Sequence, residues 1–379
     1  TREVFHGMKK RLVFLMLITM FVSLAYASLG FKIGVVTGTV SQGEDEYRGA
    51  ENVIKKYGSD IIHVIYPDNF MQEQETTIAR IVELAYDPSV KAIVICQAVP
   101  GTVAAIRKVK EFRPDIVFVA GTPHEDPPIV ERVADVSFNT DDERRGITII
   151  DLAHKMGAKT FIHYSFPRHL SMELIARRKD LMEQRCKELG IQFVSISAPD
   201  PMGEQGITGS QQFILEDVPR QLAKYGNDTA FFSTNCAMQE PLITAILKHG
   251  GIFPEQCCPS PTHGYPGGLG IAIPEDKKGD FNYILKAINE KIVEGGGAGR
   301  FATWPVPTNM LFVEAGVEVA IKLVKGEIKS SDMDAIKAIF DEVASQKVKG
   351  VGITFNRFSD KGNFYLVIAD SVIFGVTEF

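Results

Sequence analysis

The sequence predicts an α/β protein made of two doubly wound parallel-sheet lobes that are joined by a hinge. Short, continuous runs of apolar residues alternate with amphipathic segments of helical period, which favours parallel strands covered on both faces by helices. The alternation begins again after Asn139, so the two halves have the same architecture. Residues 28–379 are long enough to form two domains.

The first half carries four predicted strands with a helix after each of the first three. We place the strands at 31–36, 61–66, 92–96 and 116–120, and the helices at 44–57, 72–86 and 103–112. In the second helix Ile78, Ile81, Val82 and Ala85 share one face, as expected for a helix that packs on a sheet. Right-handed crossovers between such strands give a doubly wound sheet.

The second half repeats this order and adds a C-terminal extension. Strands are predicted at 159–164, 192–196, 229–233 and 252–253, and helices at 145–156, 172–189, 211–225 (capped by Ser210), 239–249, 280–293, 312–324 and 333–345, with strand character at 365–369 and 372–374. We therefore assign residues 28–139 and part of 275–379 to an N-terminal lobe. Residues 140–274 and part of 300–379 form the C-terminal lobe.

The segment 8–27 is typical of a secretory signal peptide. Three basic residues follow Met8, a 13-residue apolar run spans 12–24, and a small-x-small site ends at Ala27. A membrane-spanning helix needs about 20 residues, so a short N-terminal anchor is the weaker alternative. No cysteine follows the cleavage site, which disfavours a lipoprotein. We expect a periplasmic or secreted protein without stable membrane insertion after cleavage.

Composition excludes some partners. The net charge of −6 and the lack of a compact Lys/Arg stripe argue against nucleic-acid binding. Cys96, Cys186, Cys236, Cys257 and Cys258 match no zinc spacing, so we expect no metal site and treat them as buried free thiols. A Cys186–Cys236 bridge stays open.

Five segments resemble the sugar-type, ribose-binding-like family of periplasmic binding proteins (type 1). They are the strand openings at 32–39 and 90–97, a hinge-like crossing at 136–146, the strand end at 231–239 and the hinge-proximal segment 302–309. The resemblance covers most of residues 28–379 and implies an uncharacterised bacterial branch. It differs at 257–268, which lacks the acidic residue that the family usually carries after the last core strand of the second lobe.

The resemblance implies a solute-binding protein that captures a small polar molecule between its lobes and delivers it to an ABC-type importer. A ligand sensor that signals to a membrane receptor is an alternative on the same fold. In either role the expected partners are a small-molecule ligand and an ABC permease or membrane sensor, with no cofactor.

Ligands of open α/β sheets bind beyond the carboxyl ends of the strands, and this rule selects most candidate ligand contacts. It selects Thr37, Ser41, Gln42, Asp68, Asn69, Gln97, Thr122 and His124 in the first half, and Ser165, Arg168, His169, Asn235 and Gln239 in the second. The resemblance adds Arg177 and Trp304. Amide side chains suit hydroxyl or amide groups, an arginine suits an anion, and an indole gives a flat apolar wall.

Each candidate has a structural alternative. Trp304 is equally consistent with hinge packing, and Arg168 with His169 can form a solvated turn. Arg177 lies beside two other basic residues, which is typical of a solvated helix face. Asn235 also suits a turn.

Catalytic motifs are missing from the sequence. There is no G-x-S-x-G elbow, H-E-x-x-H pair, P-loop or dinucleotide fingerprint, and we expect no enzyme activity. A secreted hydrolase or isomerase that uses His163 or His169 is the alternative. A cytosolic repressor of this fold is disfavoured by the export signal.

Overall fold

A computed structural model describes residues 28–378, so the predicted signal peptide lies outside the described residues. Strands β1 to β12 are Lys32–Thr37, Ile61–Ile65, Val90–Cys96, Val117–Gly121, Val136–Thr140, Thr160–Ser165, Gln192–Ser197, Thr229–Ser233, Ala302–Thr303, Ile353–Arg357, Phe364–Ala369 and Val372–Ile373. Helices α1 to α13 are Glu44–Tyr57, Gln74–Leu84, Thr102–Phe112, Pro127–Val133, Asp142–Lys155, Pro167–Leu170, Glu173–Leu189, Gly206–Tyr225, Gln239–His249, Tyr265–Leu269, Phe281–Glu294, Thr308–Val324 and Met333–Lys347. Within residues 28–378, none of these helices is both long and apolar enough to span a membrane.

The first sheet has seven strands in the order β10-β11-β5-β4-β3-β1-β2. Its strands pair in parallel except β10, which pairs antiparallel with β11. Every residue of β3 apart from Lys91 is buried, as expected for a central strand covered by helices on both faces. The parallel direction places the carboxyl ends of β1, β3 and β4 at one edge.

The second sheet contains β7, β6 and β8, which pair in parallel in that order. Single bridges continue it from Ala230 to Ile252 and from Phe253 to Phe301. Strand β9, which directly follows Phe301 in the chain, pairs antiparallel with β12. The segment 252–253 therefore runs beside β8, and the residues after it emerge at the same edge as the end of β8.

The chain passes between the two sheets at three places, residues 140–142, 303–308 and 369–372. After the first passage α5 packs against α7, and after the second α12 packs against α1, β3 and β4 of the first sheet. The third passage leads from β11 back to β12. The exact lobe boundaries stay a prediction.

Helices α5 and α7 approach closely at Gly146. A Cβ atom at this position would lie 2.9 Å from the carbonyl oxygen of Arg178, so a larger residue would push the helices apart. The close contact holds two arginines, Arg145 and Arg178, side by side in the interior, where both are almost fully buried.

The structure confirms the predicted alternation and corrects several element bounds. The helix predicted from 211 begins at Gly206, and Ser210 lies inside it, where its hydroxyl donates to the carbonyl of Pro199 rather than capping the helix. The helix predicted from 312, α12, begins at Thr308, directly after Pro307. Strands β5, β9 and β10 and the short helices α4, α6 and α10 were not predicted as elements.

An aromatic cluster fixes the C-terminal elements onto the first sheet. The Phe138 ring on β5 lies 4.6 Å from that of Phe340 on α13, and Phe312, Phe355 and Tyr365 surround it. We expect Phe138→Ala to lower the free energy of unfolding by about 3–5 kcal/mol, because it removes a fully buried ring. Urea denaturation measures this loss.

Met202→Ala is the control for this experiment, since Met202 is 81% exposed. It should change the free energy of unfolding by less than about 0.5 kcal/mol. Equal effects of the two substitutions would contradict the packing described here.

Candidate ligand-binding site

A hydrogen-bonded network lies at the carboxyl edge of the first sheet. Gln97, the residue after β3, donates from Nε2 to Glu46 Oε1 at 3.2 Å. Its Oε1 accepts from His124 Nε2 at 2.8 Å. Asn309, at the start of α12, donates from Nδ2 to the other Glu46 oxygen at 3.3 Å and accepts from Thr122 Oγ1 at 2.7 Å. The chain thus assembles donors and acceptors from four separate segments.

Glu46 is the centre of this network and is only 1% exposed. Burial raises the pKa of its carboxyl group from an ordinary value of 4.5 to about 7, although Gln97 and Asn309 both donate to it. Near neutral pH the group therefore exists in both protonation states. It accepts from Gln97 and Asn309 and, when protonated, can also donate a hydrogen bond.

Thr122 occupies an unusual backbone conformation in the same network. Its φ is 45°, a left-handed value that is rare for a β-branched residue. The Thr122 N–H donates to the carbonyl of Phe138 at 2.8 Å, and its hydroxyl is held by Asn309. Strained residues that neighbouring contacts hold in place concentrate at ligand sites, which makes this edge the strongest candidate on the first sheet.

The edge of the second sheet carries hydroxyl, imidazole and amide groups. Ser165, at the end of β6, and His169 both hydrogen-bond to the Thr234 hydroxyl, at 2.9 and 3.0 Å. Asn235 Oδ1 accepts from the Ala237 N–H and so caps the short 3-10 turn Cys236–Met238. Gln239 is fully buried and donates to the Asn235 carbonyl at 2.7 Å, so it supports this loop from below.

The two edges meet directly. The Thr262 hydroxyl, in the segment after the second sheet's 252–253 strand, donates to Asp45 Oδ1 at 2.7 Å. Burial raises the pKa of Asp45. Thr308 also donates to the carbonyl of Pro259 at 3.2 Å. The carboxyl edges of the two sheets therefore touch at α1 and α12, and we call the region between them the cleft.

Beside the cleft, a buried ion pair holds the passages between the sheets together. Arg145 donates from Nε to Glu255 Oε1 at 2.8 Å, and Trp304 donates from Nε1 to the other carboxylate oxygen at 3.0 Å. Arg145 also donates to Asp142 and to the carbonyls of Gln256 and Cys257. Trp304 is 1% exposed and packs near the Arg145 guanidinium.

The structure brings some of the predicted contacts together and separates others. Gln97 and Thr122 share the first network. A second group lies together on the opposite edge and contains Ser165, His169, Asn235 and Gln239. The two arginines lie apart from both groups, because Arg168 pairs with Asp200 and Arg177 forms an exposed pair with Glu143. At the end of β1, Thr37 is buried against His63, Gln42 donates to the carbonyl of Asp68, and Ser41 is exposed. The role of each residue as a ligand contact stays a prediction.

Sequence reasoning missed Glu46, Asn309 and Arg145. Glu46 and Asn309 lie in first turns of helices, so the rule that selects residues after strands passes over them. Arg145 was read only as the start of a helix. The segment 257–268 lacks the acidic residue that the resemblance led us to expect, but Glu255 lies two residues before it, after the strand at 252–253. The Glu255 carboxylate is paired with Arg145.

His163, one of the two histidines that the hydrolase or isomerase alternative offers, lies in the core of the second sheet. It is fully buried between the rings of Phe193 and Phe232, and neither ring nitrogen has a hydrogen-bond partner among residues 28–378. Burial lowers its pKa to about 3. A neutral imidazole enclosed by aromatic rings is poorly placed to exchange protons with a substrate.

A separate surface cavity of about 510 Å³ lies between α1 and residues 275–279. Charged side chains of both signs line it, including Arg48, Glu51 and Lys278. Its lining includes none of the residues in the Glu46 network, so it is a distinct place where a ligand could bind.

Comparisons with known proteins give the chain a family and a fold. A family model described as "Protein of unknown function (DUF3798)" matches residues 31–302. An uncharacterised protein from Treponema pallidum (strain Nichols) is 38% identical over 180 residues, which cover 46% of this chain and 81% of the relative. The crystal structure of a protein from Clostridium difficile 630, proposed to be a transcriptional regulator, is 30% identical with a TM-score of 0.81, covering 90% of this chain and 99% of that one.

More distant structures show the fold. A sugar ABC transporter from Actinomyces odontolyticus ATCC 17982 has a TM-score of 0.55 at 12% identity, covering 80% of this chain and 86% of that one. The predicted α/β fold of type 1 periplasmic binding proteins is thereby confirmed.

The buried ion pair between Arg145 and Glu255 gives a stability prediction. We expect Arg145→Met to lower the free energy of unfolding by about 3–5 kcal/mol, because Glu255 would stay buried without its partner. The double variant with Glu255→Gln should recover part of this loss. Chemical denaturation measures both.

Arg185→Met is the matched control, since Arg185 forms a surface ion pair with Asp151. It should cost much less than Arg145→Met. A loss for Arg145→Met no larger than that of the control would refute the importance of the pair between Arg145 and Glu255.

The raised pKa of Glu46 gives a prediction about pH. Between pH 4.5 and 7 the folded chain keeps a proton that the unfolded chain has released, so this group makes the protein less stable as the pH rises. Relative to the native protein, Glu46→Gln should gain about 3 kcal/mol across this window. Denaturation curves of both proteins at several pH values test this, and a constant difference between them would be the contrary result.

Proposed function

Because the chain belongs to the DUF3798 family of proteins of unknown function, its role has to be inferred from its cleft, and we propose that it is a solute-binding protein. In this proposal a small polar molecule binds between the carboxyl edges of the two sheets. The observation that carries the proposal is the convergence of polar groups from both edges, joined by the hydrogen bond between Thr262 and Asp45. Ligands of this fold class bind at such edges.

The side chains that face the cleft favour a ligand with hydroxyl or amide groups. Gln97 and Asn309 each combine a donor with an acceptor, and the carboxyl group of Glu46 changes protonation state near neutral pH. The arginines that could bind an anion have partners of their own, Asp200 for Arg168 and Glu255 for Arg145. A neutral, hydroxyl-bearing solute therefore fits better than a carboxylate or a phosphate.

Capture would involve motion about the three passages between the sheets. We propose that the first sheet with α12 and α13, and the second sheet with α5 to α11, move as two lobes around residues 140–142, 303–308 and 369–372. Closure of such lobes around a solute is the usual motion of binding proteins. The contact between Thr262 and Asp45 would then belong to the closed form.

Two destinations for the captured solute are open. Export and delivery to an ABC-type importer are supported by the fold shared with a sugar ABC transporter. The second candidate is a ligand sensor, which the relative from Clostridium difficile favours because it is proposed to regulate transcription. Co-purification of the chain with a permease, or with a membrane receptor, would distinguish the two.

Thermal-shift screening of the purified protein tests the binding role. At a ligand concentration of 100 times Kd, binding should stabilise the folded protein by about 2.7 kcal/mol. The panel should contain sugars, nucleosides, amino acids and vitamins. The absence of any saturable shift across this panel would count against the proposal.

Gln97→Ala should weaken the binding of any solute found in this way, because it removes a donor and an acceptor from the cleft. Gln212→Ala is the matched control, since Gln212 is exposed on α8 and its side-chain amide donates to Glu216 on the same helix. We expect Kd to rise about tenfold for Gln97→Ala, the equivalent of one hydrogen bond, and to stay unchanged for the control. Unchanged binding in Gln97→Ala would place the solute elsewhere.

A further inference from the structure

Three cysteines and a histidine converge at the cleft edge of the second sheet. Cys236 follows β8, Cys257 and Cys258 follow the neighbouring 252–253 strand, and His263 lies in the same segment. The Cys236 sulfur is 3.5 Å from that of Cys257 and 3.9 Å from that of Cys258. The three sulfurs and one imidazole nitrogen of His263 all lie within 4.8 Å of one another.

The spacing of these atoms fits four-coordinate zinc. With Zn–S bonds of about 2.3 Å, the sulfurs of a tetrahedral site lie about 3.8 Å apart, close to the two distances found here. Three thiolates and one imidazole are also an established ligand set for zinc. We propose that Cys236, Cys257, Cys258 and His263 form a binding site for one Zn²⁺ ion. The proposal goes beyond solute binding and does not depend on it.

The groups around the cluster hold its ligands in place. The Arg145 guanidinium donates to the Cys257 carbonyl at 3.0 Å, and Gln256 donates to the His263 carbonyl at 3.1 Å. His263 Nδ1 lies 2.7 Å from the Cys258 carbonyl oxygen. Because a carbonyl oxygen only accepts, Nδ1 carries the proton and Nε2 keeps its lone pair, as in metal-bound histidines whose other nitrogen donates to a carbonyl.

Two buried arginines, Arg145 and Arg178, lie beside the cysteines. Their positive charges act on Cys257 and Cys258 and would offset the negative charge of thiolate ligands.

A bound ion would join the end of β8 to the segment that forms the wall of the cleft. This segment contains Thr262, which contacts Asp45 of the first sheet. The charges of Cys258 and His263 also act on His124 and Asp45 across the cleft. Zinc would thus fix the shape of the second wall. Cys236 and Cys258 are exposed, which leaves a route for the ion to enter.

Metal titration of the full chain, purified under reducing and metal-free conditions, tests this site. Co²⁺ is the spectroscopic probe, since thiolate ligation gives a charge-transfer band and tetrahedral geometry gives intense ligand-field bands. Elemental analysis after gel filtration gives the Zn²⁺ stoichiometry. We expect one Zn²⁺ per chain, both Co²⁺ signals, their loss on adding Zn²⁺, and a higher thermal midpoint for the loaded protein.

Two variants remove ligands at residues that are not fully buried, which limits the risk of misfolding. Cys258→Ser and His263→Asn should each weaken Zn²⁺ binding by more than about 100-fold. Removing a group that only hydrogen-bonds to a metal ligand costs less than this. Circular dichroism checks that each variant is folded. Cys186→Ala is the matched control, because Cys186 lies in the core of the second sheet away from the cluster, and its affinity should not change.

Three outcomes would overturn the proposal. They are less than stoichiometric Zn²⁺ in the reduced native protein, unchanged affinity in both ligand variants, and a Cys236–Cys257 disulfide after whose reduction no metal binds. None of these results bears on solute binding, which the thermal-shift screen measures separately.

Discussion

The candidate site depends on the buried guanidinium of Arg145. It lies where the first passage between the sheets enters α5, and it donates to Glu255, to Asp142 and to two successive backbone carbonyls of the segment after the second sheet. Through Glu255 it is linked to Trp304 in the second passage. A buried arginine is stable only when its hydrogen bonds are satisfied, so the positions of these three segments are set together.

This constraint explains how the two walls of the cleft are built. The first wall is a network centred on the buried carboxyl group of Glu46, whose partners come from the ends of strands and the start of α12. The second wall is the segment that Arg145 holds by its backbone. Because that segment carries both Thr262 and the cysteines at 257 and 258, the contact across the cleft and the proposed zinc site share one support.

The periodicity of the sequence predicted most of the fold. Strand β8 and helices α1 and α9 have the predicted bounds, because an apolar run or an amphipathic stripe ends at clear turn residues. The start of α8 was wrong because its first turn, Gly206 to Gly209, has little helix propensity and is stabilised by its surroundings. Strand β10 was missed because alternating burial at the edge of a sheet gives a weak signal.

The site was less predictable than the fold. Gln97 and Thr122 could be selected, since they follow strands whose direction the pattern determines. The cluster at Cys236, Cys257, Cys258 and His263 could not, because the ligands come from two strands that are neighbours only in the folded sheet, and their spacing in the chain matches no known zinc pattern. Arg145 gave no signal because its burial depends on the contact between α5 and α7.

The most direct test of this account is a crystal structure of the protein with the solute identified by screening. The account predicts electron density between the two sheets, with the solute hydrogen-bonded to Gln97 on one side and to the edge formed by β6 and β8 on the other. Density in the cavity between α1 and residues 275–279, with an empty cleft, would contradict it.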